Sequence, residues 1–113
     1  MAMERVCHIN DILPGTSQGF RYSPFGHDDI FLVNQGGIIY GYRNSCPHWP
    51  GSTLPLKKGQ YLDEYAKHIV CRGHGALFEI ETGICISGPC RGERLTALSI
   101  EVDEHGNVFV VTA

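Results

Sequence analysis

Apolar residues along this chain come in short runs, each broken by glycine, proline or paired polar residues, and no stretch keeps helical spacing. Ile30-Phe31-Leu32-Val33 and Ile38-Ile39-Tyr40-Gly41-Tyr42 flank Asn34-Gln35-Gly36-Gly37, which predicts two antiparallel strands joined by a tight turn. Residues 76–80 and 84–86 repeat the pattern around Glu81-Thr82-Gly83, and residues 95–102 and 107–111 repeat it around Asp103-Glu104-His105-Gly106. Residues 4–10 read as a first strand, with Val6 and Ile9 as core positions and Cys7 as a small buried hydrophobe. Residues 11–29 are rich in proline, glycine, serine and aspartate, so loop is expected there, with a short edge strand around Phe20-Arg21-Tyr22. Residues 65–70 read as a strand leading into Cys71, and residues 64–67 have room for at most one helical turn. Short strands with tight turns predict an all-β fold, an antiparallel sandwich or partial barrel.

Composition narrows the function classes. A chain of 113 residues is expected to form one domain over residues 1–113, and its fourteen glycines favour a loop-rich β fold over a helical bundle. A formal charge of −3, with Lys57-Lys58 as the largest basic cluster, argues against nucleic acid as a partner. No apolar run approaches a membrane span, and residues 1–10 lack the apolar core of a signal peptide, so no membrane partner is expected. Five cysteines without a disulfide framework point to a reducing compartment, hence the cytoplasm.

Two segments carry the chemistry: Cys46-Pro47-His48 and Cys71-Arg72-Gly73-His74-Gly75. A thiolate and an imidazole that close in sequence can face one centre only if the backbone bends sharply. Pro47, Pro50 and Gly51 supply that bend in the first segment, and Gly73 and Gly75 in the second. Zinc accepts both ligand types, but its structural sites usually pair cysteines with cysteines and histidines with histidines at short spacing. Here each half-site mixes the two. One cysteine and one histidine from each loop suit a two-iron cluster with both thiolates on one iron and both imidazoles on the other. A structural zinc module stays the competing assignment.

The residues around these motifs resemble the cluster loops of Rieske-type [2Fe–2S] ferredoxins. The resemblance rests on Cys46-Pro47-His48, on Cys71 through Phe78 with Thr82-Gly83, and on Ile86-Ser87-Gly88-Pro89, which is similar to the proline-bearing loop over the cluster. It runs from about Ile30 to the C-terminus. It implies a Rieske-like fold with a small cluster-binding subdomain, its loops at about 44–52 and 70–90. It further implies one [2Fe–2S] cluster, with Cys46 and Cys71 on the buried iron and His48 and His74 on the outer one. Residues 49–70 exceed the usual spacing, and the extra length, within the polar, turn-rich residues 54–64, reads as a surface insertion of small entropic cost.

High-potential members of that family place a serine and a tyrosine after the second histidine and link the two loops by a disulfide. Here the matching positions hold Ala76 and Phe78, and Gly51 and Gly73. Fewer hydrogen bonds to the cluster sulfurs imply a low potential. The resemblance implies a one-electron carrier without catalytic chemistry of its own, between a flavin-dependent reductase and a terminal oxygenase or other redox enzyme. The small subunit of a nitrite-reductase-type assembly is the alternative within electron transfer. Trp49 falls either at the docking face or over the cluster loop. Cys85 and Cys90 lie outside the ligand set, and either burial or exposure of Cys90 fits the sequence.

Overall fold

The computed structural model describes residues 2–20, 30–45, 61–63, 67–71 and 75–112. Among them are nine strands and no α-helix: β1 (Ala2–His8), β2 (Thr16–Phe20), β3 (Ile30–Gln35), β4 (Ile38–Arg43), β5 (His68–Cys71), β6 (Ala76–Glu79), β7 (Cys85–Ser87), β8 (Ala97–Val102) and β9 (Asn107–Thr112). Six strands form one antiparallel sheet in the order β1-β9-β8-β4-β3-β2, and β5-β6-β7 form a second, smaller one. The large sheet curls into a half-barrel, and the small sheet carries the second cysteine motif. An all-β architecture with a small subdomain is the expected one.

The strand β3 explains how the two sheets share one core. Its run Ile30-Phe31-Leu32-Val33 is buried throughout, because the strand is covered on both faces. Phe31 and Val33 face a cluster built with Tyr42, Tyr61, Ile69, Phe78, Ile80 and Leu95, which joins the large sheet to the small one. Leu32 points the other way, into a cluster with Cys7, Ile12, Ile39 and Val108 under the β1 end of the large sheet.

Two expectations at the N-terminal end shift. Val6 is half-buried, because a β-bulge places it opposite no partner: Arg5 pairs with Phe109 and Cys7 already with Val108. Cys7 therefore takes the core position. The strand stops at His8, whose Nδ1 accepts from the Asn10 N–H at 3.0 Å while its own N–H donates to Asp11 at 2.9 Å. That pair of bonds caps a single 3-10 turn, Ile9–Asp11, and leaves Ile9 packed at the edge of the core. The expected edge strand around Phe20 is β2, ending at Phe20; residues 21–29 lie outside the described residues.

The β3–β4 turn is shorter than the sequence suggests. Asn34 and Gln35 belong to β3, and Gly36 and Gly37 alone make the turn, with φ of 63° and 96° that side chains disfavour. Asn34 is buried there. Its amide donates to the Ile12 carbonyl at 2.7 Å and its Oδ1 accepts the Gly37 N–H at 2.9 Å, so it pins the turn to the segment before β2.

Candidate metal centre

Of the four expected ligands the structure places Cys71; Cys46, His48 and His74 lie outside the described residues, as does Trp49. Cys71 ends β5 in register with Ala76, the first residue of β6, so residues 72–75 alone reverse the chain. Gly75 closes the reversal with a φ of 73°, and its N–H donates to the Cys71 carbonyl at 2.8 Å. The Cys71 side chain is 0% exposed and shares its core with Ala76 and Phe78. A thiol at a strand end, sealed from water among apolar neighbours, fits the chemistry of an inner thiolate ligand of an iron–sulfur cluster.

The first motif is delivered by β4, which runs through Arg43 to Asn44 and Ser45. The chain is next described at Tyr61, inside the expected surface insertion; residues 54–60 and 64 of that stretch lie outside the described residues, and at residue 61 the expectation of a surface position is corrected. Tyr61 is 0% exposed. Its ring stacks on Phe31 at 4.2 Å between centroids and 9° between planes. Its hydroxyl accepts from the Asn44 amide at 3.3 Å, its N–H donates to Ser17 Oγ at 3.3 Å, and its carbonyl accepts from the Val70 N–H at 2.9 Å. Leu62 then bridges Ile69. One residue therefore holds the end of β4, the start of β2 and the strand entering Cys71. The polar composition of residues 54–64 concealed it; the available signal was an aromatic–aliphatic pair, Tyr61-Leu62, seven residues before Ile69.

Asp63 and His68 finish the approach to Cys71. The Asp63 carboxylate accepts the Lys67 N–H at 2.9 Å, the His68 N–H at 3.3 Å and lies 3.2 Å from His68 Nδ1. Partial burial works to raise its pKa, but the Lys67 N–H, the His68 ring and the His68 N–H outweigh it, and the carboxyl sits below its ordinary value. His68 is a half-exposed partner of this turn, in keeping with a role outside the ligand set.

The small sheet is completed by β6 and β7. Leu77 pairs with Ser87 and Phe78 with Cys85, so Ile86 is an extra residue, turned out to solvent at 39% exposure. The chain then folds back over β6. A Cβ on Gly88 would stand 2.8 Å from the Ala76 Cα, and its φ is 105°. The Gly88-Pro89 loop thus lies directly on the residue that follows the second motif. Tyr42 ties this assembly to the large sheet: its hydroxyl donates to the Ile80 carbonyl at 2.5 Å. Burial, with smaller contributions from Tyr40 and Glu81, pushes that phenol up to about 12, which keeps the proton it donates.

A fold that delivers a sealed thiol at the end of a small three-stranded sheet defines a class. The sequence profile of the Rieske [2Fe-2S] domain matches residues 2–110, and the chain belongs to that family, whose domains hold one [2Fe–2S] cluster. The match reaches back to residue 2, beyond the expected start near Ile30, because β1 is paired along its length with β9 and is part of the domain sheet. Among individual relatives, ferredoxin CarAc of Metapseudomonas resinovorans is 30% identical over 106 residues, covering 94% of this chain and 90% of that protein. The ferredoxin of carbazole 1,9a-dioxygenase from Nocardioides aromaticivorans IC177 superposes with a TM-score of 0.75 at 22% identity, each chain covered in full. A complex of reduced oxygenase and oxidized ferredoxin in carbazole 1,9a-dioxygenase matches with a TM-score of 0.72 at 26% identity, over 96% of this chain and 92% of that one. Among the described residues no helix is long and apolar enough to cross a membrane.

Proposed function

We propose that this chain is a one-electron carrier of low potential, a single domain that works in the cytoplasm and has no catalytic chemistry of its own. It passes electrons from a flavin-dependent reductase to a terminal oxygenase. Cys46 and Cys71 hold the inner iron and His48 and His74 the outer one. When bound, the cluster supplies one reversible electron. The chain's own contribution is to fix Cys71 at a strand end, exclude water from its sulfur and withhold hydrogen-bond donors.

The observation that carries this reading is the surroundings of Cys71. Ala76, its register partner, and Phe78 are both fully buried, and neither side chain has a donor to offer a cluster sulfur. Fewer donors leave the extra negative charge of the reduced state less stabilised, which lowers the potential. The oxygenase as acceptor is supported by the relatives, ferredoxins of an oxygenase system, one of them in complex with its oxygenase.

Iron and acid-labile sulfide analysis of anaerobically purified protein, followed by EPR after dithionite reduction and a redox titration, tests the whole reading. Two irons and two sulfides with a Rieske-type signal and a potential near the low end of the Rieske range, about −150 mV, are expected. Stoichiometric zinc without sulfide, even after reconstitution with iron and sulfide, overturns it. A Rieske signal at a high positive potential would overturn the donor argument alone.

A further inference from the structure

The small sheet holds a second pair of sulfurs. Cys90 Sγ donates to Cys85 Sγ at 3.1 Å, and Cys85 Sγ donates in turn to the Ser87 carbonyl at 3.2 Å. We propose that Cys85 and Cys90 form an oxidisable dithiol, separate from the cluster ligands, which hydroperoxides close to an intramolecular disulfide in the folded, cluster-loaded protein.

Two features prepare the pair for this reaction. The first is orientation. A disulfide needs its sulfurs at about 2.05 Å, so roughly 1 Å of approach converts the contact into a bond. The backbones that carry them are already stitched together: the Cys85 N–H donates to the Glu93 carbonyl at 2.7 Å, the Gly92 N–H to the Cys85 carbonyl at 3.0 Å, and the Glu93 N–H to the Cys90 carbonyl at 2.9 Å. The second is position. Both cysteines are only 2% exposed, yet residues 86–89 and 91–94 on either side are exposed. The sulfurs therefore lie one turn's thickness beneath the surface, within reach of a small neutral oxidant when the turn breathes.

The chemistry balances with hydrogen peroxide as the oxidant. The Cys85 sulfur attacks one peroxide oxygen, the O–O bond breaks, and a sulfenic acid forms as the thiol proton leaves with the other oxygen as water. The Cys90 sulfur then attacks the sulfenic sulfur; the S–S bond forms, the S–O bond breaks, and a second water departs. Two thiols lose two electrons and two protons, and one peroxide becomes two waters. Because Gly88, between the two cysteines, lies on Ala76, the new bond would lock the loop that covers the residue after the second cluster motif. Cys7 is the internal control. It lies in the other core, which holds no second sulfur among the described residues, and burial with the nearby Asp11 pushes its thiol up to about 11.

Tryptic mapping of the holoprotein reads the reaction directly. Cleavage after Arg72 and Arg91 releases residues 73–91, which contain Cys85 and Cys90 and no other cysteine. After graded hydrogen peroxide, denaturation and N-ethylmaleimide, this peptide is expected to lack both labels and to be lighter by two hydrogens, while the visible cluster absorption is retained. Dithiothreitol should restore both labels, and Cys7 should stay fully labelled. Cys90→Ala, and Cys90→Ser should the first misfold, are expected to stop at a Cys85 sulfenic acid that dimedone traps. Two labels at every peroxide level, a bond to Cys46 or Cys71 instead, or a bond seen only once the cluster has bleached would overturn the proposal. Protein that never acquires cluster absorption would count against the electron-carrier reading and leave the sulfur mapping to be judged by itself.

Discussion

The two faces of β3 make the most instructive comparison in the molecule. Leu32 and its neighbours build an apolar core beneath the large sheet, whose buried members are aliphatic side chains and one thiol, with Phe20 at its margin. Phe31 and Val33, one residue to either side, build a core richer in aromatics and sulfur, into which polar tips reach: the Tyr61 hydroxyl toward Asn44 and the Tyr42 hydroxyl onto Ile80. Both cores are buried. The first needs only volume and water exclusion, whereas the second must also fix direction, because it aims the segment that ends in Cys71. Hydrogen-bonded aromatics supply both the packing and the direction.

The sharpest way to break this comparison is to empty one core at a time. Tyr61→Ala removes a fully buried, stacked ring and should cost about 3–5 kcal/mol, and Leu32→Ala about 2–5 kcal/mol, both read by chemical denaturation. The effects should diverge on iron. Tyr61→Ala is expected to lower iron per folded molecule well below that of the parent, and Leu32→Ala to leave it unchanged at temperatures where the protein stays folded. Equal iron loss in both would show that the two cores do not divide the labour. Next in size, Gly88→Ala forces a Cβ against the Ala76 backbone at a φ that side chains avoid. A loss of about 1–3 kcal/mol is expected, with faster iron release to a chelator as the local readout.

Tyr42→Phe sharpens the contrast without emptying space. It leaves the packing and removes only the donor to the Ile80 carbonyl, so a loss of about 1–2 kcal/mol is expected, measured as a shifted denaturation midpoint. The smallest effect belongs to Asp63. Its carboxyl is held below the ordinary value in the folded state, so its contribution is present above the unfolded pKa of about 4 and fades as pH falls through the lower folded value. Asp63→Asn should therefore lower Tm slightly at neutral pH, and the gap from the parent should close in acid. A gap that stays constant from pH 7 down to pH 2 would show that the carboxylate charge contributes nothing there.

How much of this was legible in the sequence follows the same division. The three hairpins that β3, β6 and β8 begin were visible as short apolar runs around glycine turns, because register and turn chemistry are local. So was the cysteine–histidine spacing that led to the family, since ligand chemistry demands particular residue types. What stayed hidden was non-local. Nothing near Tyr61 announces that its ring will stack on Phe31, thirty residues earlier, in a stretch whose polar composition suggests a surface loop. Nor does the alternation around Val6 reveal the bulge that hands its core position to Cys7, because the extra residue is defined by the partner strand.

The division of the strands into two sheets also has a kinetic side. No strand of β5-β6-β7 is shared with the six-stranded sheet, and among the described residues the small sheet is fastened to it by side-chain packing, by Tyr42, by Tyr61 and by the bond from the Leu95 N–H to the Gly83 carbonyl. β3, by contrast, is laddered on both edges and covered on both faces. Two cooperative units of unequal rank are therefore expected: a scaffold whose amides should exchange most slowly, and a smaller unit that should open more readily and close again on an intact template, as native-state hydrogen exchange would read. For a protein that has to be filled after synthesis, that hierarchy would give the unfilled chain a folded half on which the other half can be finished.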